Sequence, residues 1–256
     1  MEPTNKTSGI LIHEGKSQFD GAPIFVVVTG LKEASENDKT GDLLQSWILR
    51  SDVPPQVAQQ TGDDRSVCGD CNQRPGVGGS CYVTTFQAPL SVWGAYHRGN
   101  YPEVTDTTAA MIRALKLRIG AYGDPLATPI DAWRAIMPDS PRDRTGYTHA
   151  WESVAWAHHW RPYLMASVDS REEKLRAESK GWRCFYASTD GTPDGSIYCP
   201  ADAPGNVTCA DCTLCCGTAF AGNNPGGITI DVHGARASRR TATDLVQLPG
   251  LLNQGQ

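Results

Sequence analysis

The chain has 256 residues, of which 39% are hydrophobic and 20% charged, and it carries a formal net charge of −5 at pH 7. That balance excludes a disordered chain and speaks against a general polyanion binder, so a nucleic-acid partner is not indicated by charge. No apolar run approaches the roughly 20 residues that a membrane helix needs, and the length suits one large domain or two small ones.

In chain order, Ile10-Leu11-Ile12 and the apolar run 24–28 are separated by polar, Gly- and Pro-containing sequence, which predicts a β-hairpin within an N-terminal extension over residues 1–41. Residues 1–6 lack a basic start followed by an apolar core, so a cytoplasmic protein without a secretory leader is expected. The segment Asn37-Asp38-Lys39-Thr40-Gly41 resembles a phosphate loop only faintly, without its leading glycine or its G-K-[ST] order, and reads as a turn. Residues 44–50 read as a strand leading into a cysteine-rich loop. Helices are expected at 89–97 and at 107–115, the latter capped by Asp106. Residues 117–122 form the next strand, ending in Gly123-Asp124-Pro125, and a helix follows over 129–136 with proline at its start. A strand at 146–149 precedes a Trp-rich helix at 151–159. The strand at 163–168 ends in Asp169-Ser170 and leads into a surface helix over 171–180, with Glu172 and Arg176 four apart and Gly181 just beyond. Strands at 182–187 and 227–233 flank a second cysteine-rich loop.

Six strands with helices between most of them predict an α/β fold, either a parallel sheet or a (β/α)6-like partial barrel, over residues 42–240. The tail at 241–256 is expected to fray. Arg236, Arg239 and Arg240 read as a solvated basic patch.

Nine cysteines, an odd number, without a leader peptide argue against a disulfide framework. Cys68, Cys71 and Cys81 form a C-x2-C-x9-C group. Cys199, Cys209, Cys212, Cys215 and Cys216 form another, ending C-x2-C-x2-C-C. A C-x2-C spacing lets two thiolates converge across a tight turn, which points to metal in both loops. Cys68, Cys71 and Cys81 supply three thiolates, which suits a [4Fe–4S] cluster whose fourth iron stays open. Cys199, Cys209, Cys212 and Cys215 supply four, which suits either a second cluster or zinc. Cys184 lies in the mid-strand run Trp182-Arg183-Cys184-Phe185-Tyr186 and reads as a core thiol. Cys216 is surplus once Cys215 completes a four-thiolate set.

In parallel barrels the chemistry collects at the C-terminal ends of strands. Those ends carry Gly123-Asp124, His149, Ser167 with Asp169-Ser170, and Asp231 with His233, and both cysteine loops are expected at the same rim. His149, Asp169 and His233 are the catalytic candidates. Taken singly, Asp124 can initiate a turn, Asp169-Ser170 can cap a helix, and His149 can be a core group.

Over residues 42–234 the arrangement resembles the radical S-adenosylmethionine enzymes with their six-fold partial barrel. In that superfamily a three-cysteine loop follows the first strand, with an aromatic residue beside its third cysteine, and Tyr82 follows Cys81 here. Gly120-Ala121-Tyr122-Gly123-Asp124 resembles the motif that holds the methionine amino group, and Ser167 and Asp169 stand where the family presents polar residues to the ribose. The resemblance therefore implies Tyr82, Gly123, Asp124, Ser167 and Asp169 as cofactor-binding residues. The Cys199, Cys209, Cys212, Cys215 loop resembles the additional cluster that many members carry. The first loop departs from the usual C-x3-C-x2-C spacing. Residues 37–42, 146–151 and 165–170 also resemble cysteine-rich phage- and plasmid-encoded proteins without an assigned activity, which implies a bacterial cytoplasm as the setting.

Two functions are therefore expected. One is an iron–sulfur enzyme that uses S-adenosylmethionine on a small-molecule or nucleotide substrate, supplied by an electron donor. The other is a non-catalytic module, stapled by zinc or a static cluster, that binds protein or nucleic acid.

Overall fold

The structure, a computed structural model, describes residues 9–32, 38–189, 195–204, 207–220 and 227–232. Strands β1 (Gly9–Lys16) and β2 (Pro23–Thr29) form the expected antiparallel hairpin. β2 then pairs antiparallel with β3 (Leu44–Arg50), so the hairpin is continuous with the main sheet. The sequence of β2 explains this placement. Ile24, Phe25, Val26, Val27 and Val28 are all 0% exposed, and a strand that is apolar on both faces needs cover on both.

Beyond β3 the sheet is parallel. Strands β4 (Leu117–Tyr122), β5 (Arg144–Thr148), β6 (Met165–Val168) and β7 (Cys184–Ser188) succeed one another in order. The two-residue β8 (Ile197–Tyr198) lies outside β9 (Ile228–Asp231), which pairs with β7. The result is an open, mostly parallel nine-stranded sheet with β1 and β8 at its edges. At the β1 edge, Leu11 N donates to the Pro102 carbonyl and Val104 N to the Leu11 carbonyl, which blunts the unpaired strand.

The crossovers carry α1 (Pro55–Thr61), α2 (Arg65–Cys68), α3 (Ala88–His97), α4 (Asp106–Arg113), α5 (Ile130–Arg134) and α6 (Arg171–Ser179). The cap of α4 is Thr105, not Asp106. Thr105 has the extended backbone that a cap needs (φ −119°, ψ 166°), and its hydroxyl accepts from Thr108 N while Thr108 Oγ1 accepts from Thr105 N. Asp106 instead sits in the first turn, where its charge complements the helix dipole. α6 forms as expected. Ser170 caps it, Arg176 pairs with Glu172 at 3.1 Å, and Gly181 ends it at φ +77°. The Trp-rich segment is not an α-helix. It runs through turns into a 3-10 helix, Ala155–Trp160, because its rings are drawn to separate places. Trp151 Nε1 reaches the Ser167 carbonyl at 3.2 Å, and Trp160 packs edge-to-face on Trp133.

Period-two alternation splits the sheet between two apolar layers. Leu117, Ile119, Ala166, Val168, Cys184 and Tyr186 face the main core under the helices. Met165, Ile228 and Ile230 face the other way and join Cys199, with Tyr147, Phe185, Leu214 and Cys215 packed against them. The second face is therefore covered by the second cysteine loop, and the cavity lies beneath it.

Candidate functional site

The first cysteine loop comes after β3 and is held by a buried ion pair. Arg74 donates to Asp64 Oδ1 from Nη2 at 2.5 Å and from Nε at 3.0 Å, and to the carbonyls of Gly62 at 2.8 Å and Gly69 at 3.3 Å. The nine residues between Cys71 and Cys81 fold back on themselves. A 3-10 turn, Pro75–Val77, is followed by Gly78 at φ +87°, and Cys81 N donates to the Gln73 carbonyl at 2.8 Å. Gly79 makes the closest approach in this fold-back. A Cβ there would stand 2.2 Å from Gln73 C and 2.3 Å from the Asn72 carbonyl oxygen, so only glycine fits. This compact insert returns Cys81 to Cys68 and Cys71, and all three line one cavity.

The loop sits at the C-terminal ends of the strands. Asp124 N, just past β4, donates to the Val67 carbonyl at 2.6 Å, and His149, just past β5, lies beside Cys71.

The second cysteine loop does not share this rim, contrary to expectation. It leaves β7 there, but its backbone is bound to the opposite end of the sheet. Cys209 N donates to the Lys39 carbonyl and Ala210 N to that of Thr40, both ahead of β3. Lys116, ahead of β4, donates to the Ala210 carbonyl, and Arg183, ahead of β7, donates to that of Leu214. Gly146 N in β5 donates to the Cys215 carbonyl. Four hydrogen-bonded anchors ahead of three strands outweigh the loop's starting point. The short helix α7 (Cys209–Cys212) ends at Thr213, which takes a left-handed φ of +56° to turn the chain toward Cys215.

The two cysteine groups thus face one cavity of about 300 Å³ from opposite ends of the parallel strands. Among the described residues, no three Cys, His, Asp or Glu side chains close on one point as the ligands of a single metal ion do. The thiols of each group nonetheless lie within electrostatic reach of one another. Burial pushes the Cys68 thiol well up, and the Cys71 and Cys81 thiolates push it further. Burial likewise raises Cys215, against a hydrogen bond with Tyr147 and with Cys199, Cys209 and Cys212 adding to the rise. Thiols that oppose one another's ionisation in a buried site are a donor set that a cation would discharge. Four-iron clusters take their thiolates on separate irons, so they suit thiols that stand apart.

The remaining predicted residues divide between the cavity and its surroundings. Tyr82 is 56% exposed and its hydroxyl accepts from Arg118. Gly123, at φ +82°, leaves no room for a side chain, since a Cβ would lie 2.7 Å from Ile48. Asp124 lines the cavity, but its carboxylate is engaged internally. Oδ1 accepts from Leu126 N, and Oδ2 accepts from Thr148 Oγ1 at 2.8 Å, His149 N at 2.9 Å and Ala150 N at 3.3 Å. It therefore clasps the ends of β4 and β5, and burial raises its pKa despite these bonds. Ser167 and Asp169 line the cavity, with Asp169 Oδ2 lying 3.8 Å from His149 Nε2. Burial pulls His149 down, but its interactions with Cys71, Asp169 and Asp124 outweigh this and raise it to about 10. His233, the arginines at 236, 239 and 240, and the tail lie outside the described residues. Cys184 and Cys216 are fully buried and off the cavity.

Neither a protein-family model, nor a curated protein, nor a solved structure matches this chain.

Sequence reasoning missed two features. The Arg74–Asp64 pair carries no local pattern, being ten residues apart across a loop. Arg118 was legible, because alternation at the start of β4 sets it on the face opposite Leu117 and Ile119, which point into the main core, and it lines the cavity.

Proposed function

We propose that the chain is an iron–sulfur enzyme of radical S-adenosylmethionine type, with six of its parallel strands, β3 to β7 and β9, working as a (β/α)6-like partial barrel. The observation that carries this reading is the placement of a three-thiol group and a four-thiol group at opposite ends of one cavity. Cys68, Cys71 and Cys81 would hold a site-differentiated cluster, and Cys199, Cys209, Cys212 and Cys215 a second. With S-adenosylmethionine bound, such a centre supplies one-electron reduction and hydrogen abstraction.

The chain's own residues do the rest. Gly123 lets the end of β4 approach the first loop, and Asp124 fixes the ends of β4 and β5 relative to each other. Ser167 and Asp169 offer polar groups at the end of β6, in reach of a cofactor's hydroxyls. Tyr82 flanks the third cysteine. The apolar wall of Phe185, Ile228 and Ile230 would limit the access of water to the cavity. His149 lies beside Cys71 and Asp169 at the end of β5.

Anaerobic purification followed by iron, sulfide and zinc quantification tests this reading. Brown protein containing iron and sulfide is expected, and Cys68, Cys71 and Cys81 replaced together by Ala should remove about half of it. Colourless protein with stoichiometric zinc would sink the enzyme reading and leave the metal-stapled binding module. Loss of all metal from a folded triple variant would show one shared site.

A further inference from the structure

Arg118 is an arginine inside the cavity with no carboxylate among the described residues to pair with, and the acidic groups that face it are the Cys209 thiol and the hydroxyls of Tyr82 and Tyr147. It lies at the start of β4, in register with Thr145 of β5, and lines the cavity. The one hydrogen bond of its guanidinium among the described residues runs from Nη2 to the Tyr82 hydroxyl at 2.8 Å. The ion pairs among the described residues engage other arginines, including Arg50, Arg65 and Arg74, and Arg118 enters none of them. A guanidinium that is half out of water and lacks a carboxylate is costly, and the cost is offset when a ligand anion supplies the missing charge. The planar fork matches carboxylate and phosphate oxygens two at a time.

The walls around this cation are aromatic and aliphatic. Tyr147 and Phe185 lie against each other, ring centres 4.4 Å apart and tilted by 45°, and Ile228 and Ile230 continue the surface. The cavity is at the small end of the range for ligand pockets.

We infer that this cavity binds a small organic acid, with its oxyanion on Arg118 and Tyr82 and its apolar or aromatic body against Phe185 and Tyr147. This names the substrate class of the proposed enzyme, and to that extent rests on the proposed function, although the binding itself does not require the clusters.

Anaerobic calorimetry on the metal-loaded protein tests it with three probes: 3-phenylpropanoate, phenyl phosphate and the uncharged 3-phenylpropanamide. At least one acid should bind about tenfold or more tightly than the amide, the difference a charge-assisted hydrogen bond supplies. The tighter of the two acids identifies the head group as carboxylate or phosphate. Arg118→Gln should abolish the difference between acid and amide, and Arg118→Lys should restore part of it. Equal binding of acid and amide, or no binding of any probe, overturns the inference. So does an Arg118→Gln variant that loses metal but keeps its preference for acids, because Arg118 would then serve the cysteines. Acid binding through Arg118 to protein free of iron and sulfide would leave this inference standing while the enzyme reading fails.

Discussion

Arg74 and Asp64 hold the first cysteine loop closed, and breaking the pair from one side should cost far more than removing it whole. Their side chains are 9% and 2% exposed, so water cannot replace the lost partner. Arg74→Met strands the Asp64 carboxylate and leaves the carbonyls of Gly62 and Gly69 without their donor. Buried pairs broken in this way lose about 3–5 kcal/mol. The double variant Asp64→Leu/Arg74→Met removes more atoms but leaves no buried charge, so it should be more stable than Arg74→Met alone. The expected coupling is on the order of 2 kcal/mol, within the range for residues in direct contact. Urea unfolding of the metal-loaded protein, with the slope unchanged, measures each variant. Metal content of the folded proteins shows whether the loop still presents its thiolates. If Arg74→Met costs less than about 1 kcal/mol, or if the two single losses simply add, the pair is not what holds the loop.

The same geometry leads to three further outcomes. Gly79→Ala should empty the first metal site and spare the second, since its Cβ has no room beside Gln73 and Asn72, and metal stoichiometry reads this directly. Asp124→Asn places an amide N–H against Leu126 N or against the donors of Thr148 and His149, and should lower stability by about 1–3 kcal/mol. An unchanged urea midpoint with weakened S-adenosylmethionine binding would assign the carboxylate to the cofactor instead. Cys184, buried with its thiol pushed up to about 12, should resist iodoacetamide in the native protein at pH 8 and react only on unfolding, as peptide mapping of labelled protein would reveal.

The parallel strands were legible because each is a short apolar run bounded by turn chemistry, and burial on both faces leaves little else for such runs to do. Residues 44–50 and 117–122 coincide with β3 and β4 for this reason. The helical errors have local causes. Asp106 and Thr105 are both good caps, and only the backbone of the preceding turn decides between them. The 151–159 segment is rich in tryptophan, whose placement is settled by distant partners such as Ser167 and Trp133, and helix propensity is a weak force beside that. α1 and α2 form within the first cysteine loop, where Pro55 opens α1 and the Asp64–Arg74 pair ties the start of α2 to the chain beyond Cys71.

The cysteines were legible as two groups, but their relation in space was not. A C-x9-C gap looks too long for one site until Gly78 and Gly79 are seen to fold it back, and only the first of these glycines is a conventional turn signal. The second loop posed a different problem. Chain order puts it after β7 and so at the C-terminal rim, but a loop of this length is free to go where its backbone finds partners. It finds them in the carbonyls of Lys39 and Thr40, the amide of Gly146 and the side chains of Lys116 and Arg183. Those groups are available because the N-terminal ends of parallel strands present unpaired amides and carbonyls that something must satisfy. Covering them with the second loop sets Cys209, Cys212 and Cys215 beneath the sheet, and β8 brings Cys199 alongside β9 to join them. The same act shields the apolar face of β5, β7 and β9, which would otherwise be open to water. One loop thus closes the cavity, satisfies the strand starts and places four thiols opposite the first three. Loss of its anchors should therefore weaken the small second core and the second thiol group together, before the main core is touched.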